Sequence, residues 1–405
     1  MAVLRDRLQA VLDRASADGG RRALLVVSLD RGDTLFSHGA DVSLAPASNL
    51  KLYSTAAALS YLGADFRWST YLVAEGPVTD GVLAGDMVLY GTGDPTLSVR
   101  MASSARQVFR AMADSLHAAG VREVRGDVVG DGSYFGGEGI GDGWNPNDLR
   151  SWYAAPTGAL NADENVVRPK GRPVGDPALH AAELLRSALA AEGIAVHGTV
   201  RTRFRGAPSP EVFSRDPAAA ARIVAIHRSP ALGDVAAVTN HLSHNLFADA
   251  MLRTAARKSQ GDGSFAAGQG AVRRMLARAD ADADTARLHL LDGSGLSRLD
   301  RVSARSTVAL LAWMARGPLA EVYAASLPAA GDPRGLKRMA GTAADGRLRA
   351  KTGTIHGVSS LSGYVTTVAG ERLAFSIIAN GVPDVHRAKR YEDEIGAALA
   401  SFTRE

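Results

Sequence analysis

The chain has 405 residues, 46% hydrophobic and 22% charged, with a formal net charge of +4. That is an ordinary globular composition, long enough for more than one domain. So small a charge without a Lys/Arg run excludes a nucleic-acid patch; no apolar run approaches the ~20 residues that cross a bilayer; and the lack of cysteine removes disulfides, thiolate metal sites and cysteine nucleophiles.

Apolar spacing at Leu4, Leu8, Val11 and Leu12 predicts a helix over 3–17 directly from the start. No signal peptide is visible there, so the protein is either cytoplasmic or a form that has lost a leader. Ala23 to Leu29 reads as a buried strand and Thr34 to Ser37 as a second. Pro46 then precedes a helix that ends near Gly63. From about 69 to 221 the character changes to short strand-like runs, many glycines and a helix near 178–192, a separate α+β unit. Helices follow at about 241–257, 264–279 and 304–316. Leu348–Thr354, Val358–Val368 and Leu373–Asn380 read as three strands, the last two turning at Ala369-Gly370-Glu371, and a helix covers about 387–402. This order predicts one α/β domain, 1–68 and 222–405, split by an insert at 69–221.

Three short motifs carry chemistry. Ser48-Asn-Leu-Lys51 places a serine at an expected helix start with a lysine three residues on, on the same face. Backbone N–H groups at a helix start favour developing negative charge. Serine is a poor nucleophile until a base takes its proton. A lysine can do so only when neutral, which from a reference pKa of ~10.4 costs roughly 4–5 kcal/mol at pH 7. Burial and a second cation lower that cost, and Lys351 is the candidate cation. Only six of the 46 basic residues are lysine, and two of the six fall in these motifs. Arginine cannot lose its proton, whereas lysine can. Ser243-His-Asn245 offers a hydroxyl to relay a proton and an amide to bond a substrate peptide. Lys351-Thr-Gly-Thr354 offers a charge, two hydroxyls and, at Gly353, room for a close ligand backbone.

Taken singly, each motif has a plainer explanation. Ser48 and Ser243 serve equally well as helix caps, and a KTG run in a strand is mere composition. His241 and His244 invite a Ser-His-Asp triad, but no G-x-S-x-G elbow occurs. No phosphate loop, H-E-x-x-H or metal-binding histidine spacing is present, so no cofactor or metal is expected.

The three motifs in this order resemble the penicillin-recognising serine acyltransferases. Flanking segments narrow the likeness to the D-alanyl-D-alanine carboxypeptidase/endopeptidase family, the low-molecular-mass class C penicillin-binding proteins. Those segments are Gly85-Asp-Met-Val-Leu-Tyr-Gly-Thr-Gly-Asp-Pro, Gly126 through Phe135, Tyr153-Ala-Ala-Pro-Thr-Gly, Asp292-Gly-Ser-Gly-Leu-Ser-Arg298 and Lys351 through Tyr364. The resemblance implies a transpeptidase-like domain, its antiparallel sheet flanked by helices and interrupted by an inserted α+β domain. It implies Ser48 as the acylated nucleophile, Lys51 as general base, Ser243 as proton relay to the leaving amine and Asn245 as ligand of the acyl-side amide. Lys351 supplies positive potential, Thr352 and Thr354 hold the terminal carboxylate, and the N–H groups of Ser48 and Thr354 form the oxyanion hole. Arg298 lines the cleft, and Asp131 lies in an insert segment that reads the peptide side chain. The activity implied is a serine-type D-Ala-D-Ala carboxypeptidase or endopeptidase acting on peptidoglycan stem peptides. β-Lactams are its covalent inhibitors, and it works in the periplasm or outer envelope. An esterase, a D-amino-acid amidase, a β-lactamase and a non-catalytic wall-binding protein are the alternatives; oligomeric state stays open. Two departures stand out: Asp249 occupies a position where glutamate is usual, and Val166-Val167 passes almost directly to Asp176 where a longer nested third domain is expected.

Overall fold

The computed structural model describes residues 1–101, 103–167, 171–204, 217–279 and 285–404. Its main strands are β1 (Arg21–Ser28), β2 (Thr34–His38), β3 (Ser69–Glu75), β4 (Asp86–Gly91), β5 (Val128–Asp131), β6 (Val200–Arg203), β7 (Ile223–Arg228), β8 (Leu348–Ile355), β9 (Val358–Thr366) and β10 (Arg372–Asn380). Its main helices are α1 (Ala2–Ala17), α2 (Lys51–Leu62), α3 (Ala105–Ala118), α4 (Pro177–Ala191), α5 (Leu232–Leu242), α6 (Asn245–Gln260), α7 (Phe265–Ala279), α8 (Ala304–Arg316) and α9 (Val385–Ala400).

Two five-stranded sheets organise these elements. The first runs β8-β9-β10-β1-β2 and is antiparallel throughout. Its alternating apolar residues pack on both sides. Leu24, Val26, Leu361 and Phe375 meet α1 and α9, while Ala23, Leu25, Ala374 and Ile378 meet the helical layer around α2. A strand set covered on both faces reads as a near-continuous apolar run, which is why Ala23–Leu29 was legible. The second sheet runs β6-β5-β4-β3-β7, with parallel pairs β6–β5 and β5–β4 and antiparallel pairs β4–β3 and β3–β7. Helices α3 and α4 cover one face, sharing a core of Leu72, Leu89, Phe109, Leu116, Leu185 and Leu189. Each has its N-terminal N–H groups bonded by a cap, Ser104 for α3 and Asp176 for α4. Strand β7, beyond residue 221, supplies one edge of this sheet. Where a longer segment was expected there is a two-residue hairpin, Val166–Val167 against Arg172–Pro173; residues 168–170 lie outside the described residues.

The central helix α2 has no solvent face over Lys51–Leu59, all nine residues being buried. It packs against α6, with Leu52, Leu59, Phe247, Met251 and Ala255 in one core. A helix enclosed on every side is a rigid support for groups at its end.

Two local expectations fail. The start of α2 is a 3₁₀ turn over Ala47–Leu50, so Ser48 precedes the α-helix proper. The helix expected at 241–257 is two helices, broken at Ser243, which takes the left-handed conformation (φ 55°, ψ 41°) and closes α5 before α6 starts at Asn245. No glycine or proline marks that break.

Candidate active site

The site forms where the 3₁₀ turn, the α5–α6 break and the edge strand β8 converge. Side chains three apart eclipse on a 3₁₀ helix, so Ser48 and Lys51 stand more directly over one another than an α-helix would allow. Lys51 Nζ donates to Ser48 Oγ at 3.0 Å, to Asn245 Oδ1 at 2.7 Å and to the Ser294 carbonyl at 2.6 Å. Lys351 Nζ donates to Ser243 Oγ at 3.0 Å and to the Thr352 carbonyl at 2.8 Å. All five polar residues expected to do chemistry therefore meet in one place. Ser48, Ser243 and Asn245 are partly exposed, whereas both lysines are buried.

Burial dominates the electrostatics. It pulls Lys51 down to about 8, although the charges of Asp249, Asp292 and Asp300 hold it up. It pushes Lys351 well below the usual lysine range, and the charge of Lys51 adds to that push. Burial lowers Lys51 as expected, and the charge of Lys51 adds to the lowering of Lys351, which has no carboxylate among its hydrogen-bond partners. Asp249 and Asp300 are themselves pushed well above the carboxylate range by burial, with the charge of Asp292 adding to both.

Asp292 organises the loop beneath Lys51. Its carboxylate accepts the N–H groups of Ser294, Gly295 and Ser297 at 2.6–2.9 Å and the Trp144 indole N–H at 2.7 Å. That loop carries the Ser294 carbonyl bonded by Lys51. Gly295 (φ 80°) lies so close to the Ala47 carbonyl that a side chain there would collide with it. Asn49, buried beside the serine, ties the turn to the sheet. With its amide oriented to satisfy both ends, its nitrogen donates to the Lys351 carbonyl at 2.5 Å and its oxygen accepts the Leu361 N–H at 3.3 Å.

Strand β8 is the outer strand of its sheet; residues 328–330 bond its outer side over Leu348–Ala350, and beyond that no strand among the described residues pairs with it there. Alternation turns Lys351 and Gly353 to the buried face and leaves Thr352 half-buried and Thr354 exposed. The room at Gly353 is taken by the chain itself. A Cβ there would lie 2.6 Å from the Pro46 carbonyl and 3.0 Å from the Asn49 nitrogen, and would also meet Ser360 Oγ. The strand thereby approaches the turn that bears Ser48, whereas the sequence reading assigned that room to a ligand.

Arg298 is exposed. With Arg301, Ile355, His356 and Asn380 it lines a cavity of about 420 Å³ beyond the end of β8. Asp131 is not brought to the site. It is 1% exposed, and its carboxylate accepts from Arg203 Nε at 2.7 Å and from the Ser133 N–H at 2.9 Å inside the second sheet. A larger cavity of about 490 Å³, lined by Leu29, Arg347, Arg349 and Tyr364, holds none of the motif residues.

Sequence reasoning missed several participants. The Tyr153 carbonyl accepts from Asn245 Nδ2 at 2.8 Å. His244, inside the second motif, is buried with Nε2 3.2 Å from Glu164 Oε2. Burial pushes Glu164 up, but the His244 contact, the Ser98 hydroxyl and the Arg100 guanidinium outweigh it and hold the carboxyl at about 2. Burial pulls His244 down despite that bond. Arg100, 3.3 Å from Glu164, already gives the carboxylate a positive partner. Glu164 is therefore the anion, and His244 is a neutral donor through Nε2–H. Tyr153 and Asp292 stand in segments that carried the resemblance and His244 in the second motif, whereas nothing in the sequence singled out Glu164.

Comparison with known proteins identifies the family. The family model described as D-Ala-D-Ala carboxypeptidase 3 (S13) matches residues 4–175 and 168–402. A D-alanyl-D-alanine carboxypeptidase of Actinomadura sp. (strain R39) is 32% identical over an alignment of 454 residues covering 93% of this chain and 81% of that protein. Carboxypeptidase DacB of Mycolicibacterium smegmatis is 31% identical, over 96% of this chain and 82% of that one. Penicillin binding protein 4 (dacB) from Haemophilus influenzae shares the fold with a TM-score of 0.81 at 22% identity, covering 95% of this chain and 97% of that chain. The chain belongs to the D-Ala-D-Ala carboxypeptidase 3 (S13) family and is a hydrolase of that carboxypeptidase type.

Proposed function

We propose that this carboxypeptidase works through an acyl-enzyme on Ser48 and acts on peptidoglycan stem peptides. The observation that carries the reading is Lys51, a buried lysine lowered to about 8, with Nζ 3.0 Å from Ser48 Oγ. Neutral Lys51 takes the hydroxyl proton as Ser48 Oγ attacks the carbonyl of the penultimate D-alanine. The oxyanion forms against the N–H groups of Ser48 and Thr354. Asn245 bonds the acyl-side amide, while Lys351, Thr352 and Thr354 receive the terminal carboxylate. The C–N bond breaks as the proton held by Lys51 is relayed through the hydroxyl of Ser243, itself bonded to Lys351, to the leaving amine, which leaves Lys51 neutral again. Water then adds to the ester carbonyl, giving its proton to Lys51, and the acid departs as the serine hydroxyl is restored. A cross-linking amine in place of terminal D-alanine makes the same sequence an endopeptidase reaction, and a β-lactam ring makes it a slow-turnover acylation. Stem peptides place the enzyme outside the cytoplasm, in the periplasm or outer envelope. Arg298 is positioned in this scheme to meet a substrate side chain.

Residues 1–68 and 222–405 form the split catalytic domain in this reading, and the insert is shortened. The alignment with the Actinomadura protein is longer than the 405 residues of this chain, so that protein has segments without a counterpart here. The test is incubation with a labelled penicillin followed by intact-mass measurement and peptide mapping. One adduct on Ser48, lost in Ser48→Ala, is expected. No adduct, or an adduct that survives Ser48→Ala, would refute the scheme.

A further inference from the structure

Within its own domain, the break between α5 and α6 is held at its side chains by the two lysines that the chemistry uses, Lys351 on Ser243 and Lys51 on Asn245. Helix α6 begins after His244 without a side-chain cap, and α5 ends on the Ser243 N–H bonded to the Thr239 carbonyl. The His244 N–H reaches the Thr239 carbonyl at 3.0 Å, and the His244 carbonyl accepts from Ala248 at 3.3 Å. Ser243 is left-handed, an unfavourable conformation for a residue with a Cβ. Two further bonds come from elsewhere, the Tyr153 carbonyl to Asn245 Nδ2 and Glu164 to His244. Both partners lie in the segment that runs beside the second sheet.

Glu164 is offered from an unusual backbone. Asp163, Glu164 and Asn165 are three consecutive non-glycine residues with positive φ, at 47°, 61° and 54°. Such a run persists only where surrounding structure forces it. Here buried Asn165 donates to the Pro156 carbonyl and to Asn161 Oδ1, each at 2.8 Å, and accepts the Ala162 N–H at 3.0 Å. The outcome is a carboxylate aimed at His244, whose ring is 4% exposed, stacks 4.3 Å from Phe247 and has no partner for Nδ1 among the described residues. A buried imidazole with one idle nitrogen is a poor choice for stability alone, since an apolar ring there would leave no polar atom unsatisfied. What the imidazole adds is a directional bond at the residue between Ser243 and Asn245.

We propose that His244 and Glu164 are positioning residues that latch the catalytic turn to the insert and so set where Ser243 and Asn245 point. The proposal rests on Ser48 acylation as described above. It couples chemistry to the insert: a displacement of the insert would turn Asn245 away from Lys51 and the substrate amide.

The test compares wild type with His244→Ala, His244→Gln and Glu164→Gln in the full chain. Acylation by a fluorescent penicillin is followed in time, and the number of acylable sites is titrated in each sample. Per titrated site, His244→Ala should acylate about tenfold more slowly, since sub-ångström misplacement costs up to about 10²-fold. His244→Gln, which keeps an N–H at similar reach, and Glu164→Gln, which keeps an acceptor, should stay within about threefold of wild type. A purely structural role would lower the number of acylable sites and the Tm but leave the rate per site unchanged, and that result overturns the latch. Equal losses in His244→Ala and His244→Gln also overturn it. Should His244→Ala not fold, Glu164→Ala, read per titrated site in the same way, decides. Wild type that forms no adduct refutes the acyl-enzyme itself, whereas normal wild-type acylation with unaffected variants refutes only the latch.

Discussion

Gly353→Ala separates two explanations of the Lys-Thr-Gly-Thr strand. If the glycine serves a ligand backbone, an added methyl should weaken peptide binding and leave the empty enzyme untouched. The structure predicts otherwise. The new Cβ would sit 2.6 Å from the Pro46 carbonyl, where an ordinary C···O contact is about 3.3 Å, so the carbonyl must retreat roughly 0.7 Å. Pro46 precedes Ser48 by two residues, and its carbonyl also accepts Ser360 Oγ at 2.7 Å. The strand cannot yield easily, because β8 is paired along its whole length with β9. The 3₁₀ turn must move instead and carry the nucleophile with it. Overpacking of this kind costs about 1–3 kcal/mol, and a shift of this size slows the reaction by roughly 10- to 100-fold. Acylation by a small penicillin, peptide kcat and KM, and thermal unfolding together check it. The expected result is a lower Tm and slower acylation by every substrate alike. Wild-type stability and acylation with only a raised peptide KM would refute the packing argument.

The remaining predictions concern charge. Acylation in the free enzyme requires neutral Lys51, so kcat/KM for a penicillin should rise with pH and level off near 8, falling about tenfold per unit below that. Lys51→Arg should remove the ascending limb together with nearly all acylation, since a guanidinium keeps its proton; retained activity would exclude Lys51 as the base. Asp131→Ala leaves Arg203 facing Glu75 alone, and breaking this largely buried pair should cost about 3 kcal/mol on urea unfolding. Peptide KM should stay unchanged in folded Asp131→Ala, and a selective rise in KM at wild-type stability would restore a substrate-reading role.

Much of this was legible because it depends on local pattern. The strands Arg21–Ser28, Leu348–Ile355 and Arg372–Asn380 lie close to the apolar runs that announce them, and α1, α4 and α9 follow their 3.6-residue spacing. The three motifs were readable by their order. What escaped was set by tertiary contact. Leu242-Ser243-His244 has no breaker residue, so a continuous helix was the natural expectation; the break is stabilised by partners 80 to 108 residues away in sequence, Glu164 and Lys351. Only the family resemblance gave Asp131 a substrate-reading role, and nothing local reveals its pairing with Arg203 across parallel strands of the second sheet. Gly353 had the right importance but the wrong neighbour, because nothing local reveals that the Pro46–Asn49 turn lies against it.

The unequal surroundings of the two lysines explain how a carboxylate-bearing substrate can promote its own acylation. Lys51 is faced by Asp249, Asp292 and Asp300, whereas among the described residues Lys351 bonds a hydroxyl and a carbonyl. In the empty cleft a proton is therefore held better by Lys51, the group that must lose it. A substrate carboxylate arriving at Thr352 and Thr354 brings Lys351 the counter-charge it lacks. Charging Lys351 then raises the repulsion on Lys51, and because such coupling is reciprocal the base loses its proton more readily when the carboxylate is bound. The pH profile carries this signature: the midpoint of kcat, which reports the bound enzyme, should lie below that of kcat/KM for a peptide ending in a free carboxylate. For the same peptide ending in an amide the two midpoints should coincide, and a kcat midpoint at or above that of kcat/KM with the free acid would refute the coupling.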